Sequence, residues 1–293
     1  MACGKCSRRK AKEMANWEAQ KKELDELSQQ YSEKVNWQFW DGKLDQDLPN
    51  TQYSISLCTT CMNRLVDLKQ TMPKNIEDNA DYPNVEFVLL DYNSSDGLGD
   101  WVKKEMGDHL ESGKLQYFRT EDPQFYSMTH SRNVAFKLAS GSVVNNLDAD
   151  NFTNPGFASR VNALANQRPQ HAIFAKGKRM LRGRLGFWKH EFMDLLGGYD
   201  EDIKDYGHDD HDLMNRAYMM GFMLMWWGGQ HYANCGSKKH QTGNMENTKW
   251  KETEFRNKVI SYKKILAGKL KANEDKEWGK ANIEKNFKDR FSI

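Results

Sequence analysis

The sequence predicts an α/β domain built on a single, mostly parallel, doubly wound sheet flanked by helices, with helical extensions at both ends. Three observations predict it. From residue 53 onward, strand-like apolar runs alternate with helix-periodic segments without internal repeats, the order that sets parallel strands under helices on both faces. The apolar runs end in polar and acidic residues, at Cys58–Arg64, Asp91–Asp96 and Asp148–Asn151, where sheets of this class bind ligands. The chain has 293 residues with 38% hydrophobic content, enough for one large or two modest cores.

The elements follow in order. From Arg8 to Lys34 the chain is charged, free of Gly and Pro, and carries Met14, Trp17, Leu24, Leu27 and Tyr31 at helical spacing, which predicts a helical arm. DLPNT then supplies turn residues before YSISLC, the first strand of the core. NRLVDLKQTMPKNIEDN reads as a helix broken or ended near Pro73. NVEFVLLDY is a strand running into the turn NSSDGLG, WVKKEMGDHL a helix, KLQYFRT a strand, HSRNVAFKLAS a helix and SVVNNLDAD a strand. Beyond Asn154 the alternation fades: AIFAKGKRMLRGRLGFW predicts two extended segments, DDHDLMNRAYMMG a short helix, and FMLMWWGG a strand whose Met and Trp belong to the core. From about Asn247 the chain reads as helical and basic. The expected divisions are a basic helical arm over 1–50, a core domain over 51–245 and a helical extension over 246–293.

Charge and cysteine usage set bounds. Lys and Arg total 43 against 41 Asp and Glu, so the overall balance is silent about partners. The distribution is uneven: KGKRMLRGRLGFWKH, residues 176–190, carries several cations and no acid, as a polyanion site or a solvated face would. No apolar run approaches the ~20 residues that cross a bilayer, and the N-terminus lacks a signal-peptide core, so the expected location is the cytoplasm. Two C-x-x-C pairs occur, Cys3/Cys6 and Cys58/Cys61. Such thiolates can share zinc, but nothing links the two pairs at finger-like spacing, and free thiols are the alternative.

Two acidic clusters carry the chemistry. Asp148 and Asp150, in NNLDADN, fall at a strand end on one side if strand geometry persists. Their hard oxygens suit Mn2+ or Mg2+, which complete their coordination with phosphate oxygens and water; turn formation or capping would equally explain a bare D-x-D. In GHDDHDLMNR, Asp209, Asp210 and Asp212 crowd a helix start. The helix dipole accounts for one of them, and a surplus carboxylate beside an acceptor hydroxyl is what a general base requires.

The ordered set SISLCTTCMNRL, VEFVLLDYNSSDG, HSRNVAFKLASGSVVNNLDADN and GGYDEDIKDYGHDDHDLMNR resembles the family 2 glycosyltransferases of the GT-A fold, which have a Rossmann-like sheet. The later part is similar to the catalytic half of the β-1,4-galactosyltransferases. The resemblance spans roughly residues 52–243. It implies that Thr59, Asn63 and Arg64 hold the nucleotide base and diphosphate, that Asp91 contacts the uracil beside Ser94 and Asp96, and that Arg132 and Asn133 lie along the nucleotide sugar. It implies further that Asp148 meets the ribose or a water on the metal, that Asp150 binds the metal, and that Asp210 is the catalytic base. Asp209 stands where the family has a glutamate, one methylene longer. His240 is the implied third metal ligand with His231 as its rival, and Trp188 is a wall of the donor-sugar site or else a core aromatic.

The implied reaction is a single displacement that inverts the anomeric carbon, with a UDP-sugar as donor and Mn2+ or Mg2+ as cofactor. The implied acceptor is a glycan or a lipid-linked glycan; the basic segment adds DNA, as in a phage enzyme that glycosylates hydroxymethylated bases in the host cytoplasm. A nucleotidyltransferase would favour a Gly-rich phosphate loop, which CTTCMNR lacks. A noncatalytic carbohydrate- or nucleic-acid-binding protein on the same fold is the remaining alternative.

Overall fold

The computed structural model describes residues 4–48, 50–177, 184–235 and 243–293, with side chains from Glu18 onward. In chain order the elements are α1 (Gly4–Lys34), β1 (Gln38–Phe39), β2 (Ile55–Cys61), α2 (Leu65–Asp78), β3 (Val85–Tyr92), α3 (Leu98–Glu105), α4 (Gly107–Glu111) and β4 (Leu115–Thr120). There follow α5 (Met128–Leu138), β5 (Val143–Asn146), β6 (Asn151–Phe152), α6 (Phe157–Gln167), β7 (Ala172–Ala175), β8 (Gly186–Trp188) and α7 (Lys189–Asp194). The chain continues with α8 (Asp209–Met219), β9 (Met223–Trp226), β10 (Ala233–Asn234), α9 (Trp250–Leu266), β11 (Asn282–Lys285) and β12 (Asp289–Ser292).

One sheet organises the molecule, in the order β1-β9-β7-β8-β5-β2-β3-β4-β11-β12. The centre, β5-β2-β3-β4, is parallel, while β8 runs antiparallel between β5 and β7. A separate antiparallel pair, β6 with β10, lies beyond β5. Both faces of the large sheet are covered, which explains why β2 is buried along its whole length, Ser56, Thr59 and Thr60 included. Strand alternation divides the core. Val88, Leu90 and Tyr92 face the side packed by α5, α7, α8 and α9, through Phe136, Phe192, Leu213 and Ile265. Val85, Phe87 and Leu89 face the side packed by α2, α3 and α6, through Leu68, Val102 and Val161.

Three expectations about elements change. Pro73 does not break α2, which continues through it to Asp78; the carbonyl left without its amide partner belongs to Lys69, an exposed residue that water can serve. The strand before the first acidic motif ends at Asn146, and Asp148 to Asp150 form a turn, closed by the Asn151 amide donating to the Asp148 carbonyl at 2.9 Å. The C-terminal segment is helical only as far as Leu266. Its last residues form a hairpin, β11 and β12, that pairs antiparallel with β4. The charged NIEKNFKDRFSI hides strand character because its outer strand, β12, is exposed throughout.

The hairpin is tied to β4 by its turn. The Tyr117 amide donates to Asn286 Oδ1 at 2.8 Å, the Asn286 amide returns to the Tyr117 carbonyl at 2.8 Å, and Phe287 stacks on the Tyr117 ring at 4.6 Å. At the other end, α1 packs against α9: Tyr31 meets Tyr262 at 5.3 Å, and its hydroxyl donates to Asn215 of α8 at 3.0 Å.

Candidate active site

A cavity of about 670 Å³ opens at the carboxyl edge of the sheet, lined among others by Arg64, Arg132, Asp148, Asp150, Asp209 and Asp210. The two acidic motifs, some sixty residues apart in sequence, therefore share one cleft. Arg132 joins them. Its position on α5, which starts behind the Ser127 cap, sends a guanidinium that is only 2% exposed into the space between β5 and α8. Nη1 donates to Asp210 Oδ1 at 3.0 Å and to Asp209 Oδ2, and Nη2 donates to Asp148 Oδ1 at 3.3 Å. Burial works against the Arg132 charge, but Asp210, Asp209 and Asp148 outweigh it and hold its pKa well above the usual value.

The acids are not all equivalent. Loss of solvent raises the Asp210 pKa, and Asp209 adds to this, while Arg132 and the Tyr199 hydroxyl, which donates to Oδ1 at 3.1 Å, oppose it. Asp148 is raised in the same way: burial leads, Arg132 opposes, and Asp210 and Asp150 add their repulsion. Asp150 accepts from Arg64 Nη2 at 3.2 Å and from Asn151 Nδ2 at 2.5 Å. The turn that carries it is pinned by Thr71, whose hydroxyl donates to the Ala149 carbonyl at 2.6 Å. Asp212, the third acid at the start of α8, is outside the cleft and accepts from Arg216 Nε at 2.8 Å, one helical turn on.

The other residues named from sequence fall differently. Asn63, in a left-handed turn with φ 55°, accepts from the Ser95 amide at 2.7 Å and donates to Asn244 at 3.2 Å, so it ties the loops after β2 and β3 together at the rim. Thr59 is buried; its neighbour Thr60 takes the cleft side, bonded to the Tyr126 hydroxyl at 2.6 Å. Asp91 is also fully buried, and accepts from Tyr117 and Arg119, each at 2.7 Å, and from the Ser94 amide at 2.8 Å. Asp96 accepts from the Leu65 amide at 2.8 Å, at the start of α2. Asn133 clips α5 to the backbone of Tyr199. Trp188 is a core residue, packed on Tyr53 at 4.8 Å with its indole N–H on the Arg168 carbonyl at 3.0 Å. Thus Thr59, Asp91, Asn133 and Trp188 support the cleft without lining it.

The histidines and cysteines divide likewise. His240 and Cys3 lie outside the described residues, as does the side chain of Cys6. His231 is buried against Phe157, with Arg160 and Arg184 near enough to help burial lower its pKa, an environment hostile to a further cation. Cys58 and Cys61 belong to the cores on opposite faces of the sheet and cannot share one zinc ion. Arg184, counted from sequence in the basic stripe, is buried, donates to the carbonyls of His231 and Phe152, and has its cation against Phe157, Trp227 and Tyr232. It offers no charge to a polyanion.

Residues that sequence reasoning missed complete the lining: Tyr126, Tyr206, His208, His211, Tyr232, Asn244, Trp250 and Glu254. Of these, Tyr206, His208 and His211 fall in the motif GGYDEDIKDYGHDDHDLMNR singled out in advance. Among the described residues, no three His, Cys, Asp or Glu side chains converge as an ion's full ligand set. The donor chemistry nevertheless fits a hard divalent cation. Five carboxylates face the cavity against two guanidiniums, and repulsion from Asp210 and Asp150 adds to the burial that raises Asp148.

Fold and cleft together define an α/β enzyme that works at the carboxyl edge of its sheet. The chain matches the glycosyl transferase family 2 model over residues 56–225, more than half its length, and belongs to that family. It is a glycosyltransferase. No curated protein matches the chain. Among solved structures it is similar to the mannosyltransferase PcManGT from Pyrobaculum calidifontis in complex with GDP-Man and Mn2+, with TM-score 0.56 and 18% identity over 87% of this chain and 85% of that one. It is also similar to GalNAc-T7 with UDP, GalNAc and Mn2+, with TM-score 0.56 and 14% identity over 75% of this chain and 48% of that one. A third likeness is to S. aureus TarS 1–349 in complex with UDP-GlcNAc, with TM-score 0.50 and 13% identity over 66% of this chain and 62% of that one. At these identities the likeness is one of fold, the GT-A fold. No helix among the described residues is long and apolar enough to cross a membrane.

Proposed function

We propose that the chain transfers a sugar from a nucleoside-diphosphate donor, a UDP-sugar, to an acceptor hydroxyl with inversion at the anomeric carbon. The observation that carries this reading is the single cleft shared by Asp148 and Asp150 on one wall and Asp209 and Asp210 on the other. Asp210 is the general base. It accepts the acceptor's proton as that oxygen attacks, and its raised pKa moves its basicity toward the working pH. Tyr199 and Arg132 fix the direction of its carboxylate, and Asp209 beside it addresses a sugar hydroxyl. The likeness of GHDDHDLMNR to the β-1,4-galactosyltransferases supports the same assignment.

On the donor side, Arg64 with the turn at Asp148–Asp150 forms the diphosphate end, and Asn63 borders the base. Asp150, with Asp148 through water, would hold Mn2+ or Mg2+, and His240 is the proposed further ligand. Such an ion, when bound, neutralises charge that develops on a departing diphosphate. One enzyme carboxylate suffices for a single displacement, so no covalent sugar–enzyme species is needed.

The test is release of nucleoside diphosphate from a panel of UDP- and GDP-sugars in the presence of Mn2+. Turnover with a UDP-sugar and an inverted product is expected. A retained anomeric configuration, or turnover with GDP-sugars alone, refutes the mechanism or the donor.

A further inference from the structure

The first turn of α9 places Trp250 and Glu254 four residues apart, on one face of the helix, and both line the cleft that holds Asp210. Trp250 is 47% exposed, an indole presented to the cavity rather than spent in the core. We propose that this turn is the acceptor-sugar subsite: Trp250 stacks on the C–H face of a sugar ring, and Glu254 accepts hydrogen bonds from that ring's hydroxyls, which presents one remaining hydroxyl to Asp210. The proposal deepens the transfer reaction above and rests on Asp210 as its base.

Four observations carry it. The platform is held in register with the base: Thr253 Oγ1 donates to the Tyr206 carbonyl at 2.9 Å, Asn257 Nδ2 to the Gly207 and Lys204 carbonyls at 2.8 and 2.9 Å, and Arg256 Nη2 to Lys204 at 2.7 Å. The loop so held leads directly into Asp209 and Asp210. Gly207, at φ +99°, lets the helix approach so closely that a Cβ there would sit 2.9 Å from Glu254 Cβ. The turn also lies beyond residues 56–225, the span that matches the family model.

Charge selects the acceptor class. The described lining offers Asp148, Asp150, Asp209, Asp210 and Glu254 against Arg64 and Arg132, both already paired with carboxylates; Lys258 pairs with Glu254 at 2.8 Å and Lys251 lies 5.5 Å from the Trp250 ring, which leaves the four aspartates to set the sign of the field. A nucleic-acid backbone would enter against that field. A saccharide carries no such penalty, and an amphipathic indole beside a carboxylate suits its two kinds of surface. In the step itself the acceptor oxygen bonds to the anomeric carbon as the bond to the diphosphate oxygen breaks. The bonding pair leaves with the nucleoside diphosphate, and the hydroxyl proton passes to Asp210.

The experiment uses the full chain with Mn2+ and the nucleotide sugar that it turns over fastest. Release into water alone tests the transferase reading. Addition of maltotetraose, chitotetraose, β-linked galacto-oligosaccharides or a hydroxymethylated DNA duplex tests the acceptor. A saccharide stimulates release, and Trp250→Ala raises its KM by about tenfold or more, the effect of one lost aromatic contact, with donor KM unaltered. Trp250→Phe recovers part of the loss, and Glu254→Gln raises acceptor KM as well. Trp250→Ala folds, as a melt verifies, because the side chain is half out of the core. Stimulation by DNA alone, no stimulation by any saccharide from a donor that is hydrolysed, an unchanged acceptor KM in Trp250→Ala, or an equal rise in donor KM overturns the proposal.

Discussion

Replacing Arg132 with methionine removes one cation from beneath three carboxylates while keeping most of its length. Asp209 is 5% exposed and Asp210 is partly buried, so neither recovers full hydration when its partner goes. Removal of one member of a buried ion network costs about 3–5 kcal/mol, a large share of the roughly 5–15 kcal/mol by which proteins are stable. At about 2–4 °C per kcal/mol the melting temperature falls by roughly 6–20 °C.

The deficit depends on pH. Asp148 and Asp210 already sit above the ordinary carboxylate value when folded, so the folded chain binds protons more tightly than the unfolded one, and stability falls as pH rises from the unfolded value through the folded one. Arg132 pulls both values down; without it they climb, and the window of loss extends to higher pH. Melts of parent and Arg132→Met from pH 5 to pH 8 should therefore diverge with increasing pH. A variant within about 1 kcal/mol of the parent at pH 8, or a deficit equal at pH 5 and pH 8, refutes the account of Arg132 as the counter-ion of both acidic motifs.

Asp150→Ala should abolish Mn2+-dependent donor binding in calorimetry, whereas Asp210→Asn should bind donor as the parent does and lose transfer; full activity in Asp210→Asn rejects it as the base. Tyr199→Phe deletes a hydrogen bond that favours the charged form of Asp210, so the acid limb of kcat against pH should move to higher pH, and a limb that stays or moves down contradicts this. Gly207→Ala forces a side chain into the left-handed region and against Glu254. It should cost about 1–3 kcal/mol in denaturant unfolding, and a neutral result would mean that α9 does not abut this loop.

Much of the central sheet was legible because the parallel strands are short, apolar and separated by amphipathic helices. The two acidic motifs were legible as well, since three carboxylates at one helix start exceed what the helix dipole accounts for, and the D-x-D, ordinary by itself, gained meaning from the ordered motifs around it. Register was not. β2 is buried on both faces, so hydrophobicity cannot tell whether Thr59 or Thr60 turns to the cleft, and the one-residue difference decides it. Trp188 and Asn133 sit beside the right elements but point into packing, which sequence position alone does not reveal. Asp212 looked like part of the acidic surplus until Arg216 accounted for it. Trp250 and Glu254 were invisible because a helix distant in sequence brings them to the cleft.

The closing hairpin bears on any attempt to trim this chain for crystallography or fusion. β11 covers the outer side of β4, and Phe287 braces the tyrosine whose hydroxyl satisfies Asp91. A recombinant boundary set before Asn282 would strip that cover and leave β4 with an open row of amides and carbonyls, the template on which chains stack edge to edge. The loop after β3 would slacken with it, so the same cut that promotes precipitation would also blunt turnover in whatever stays dissolved.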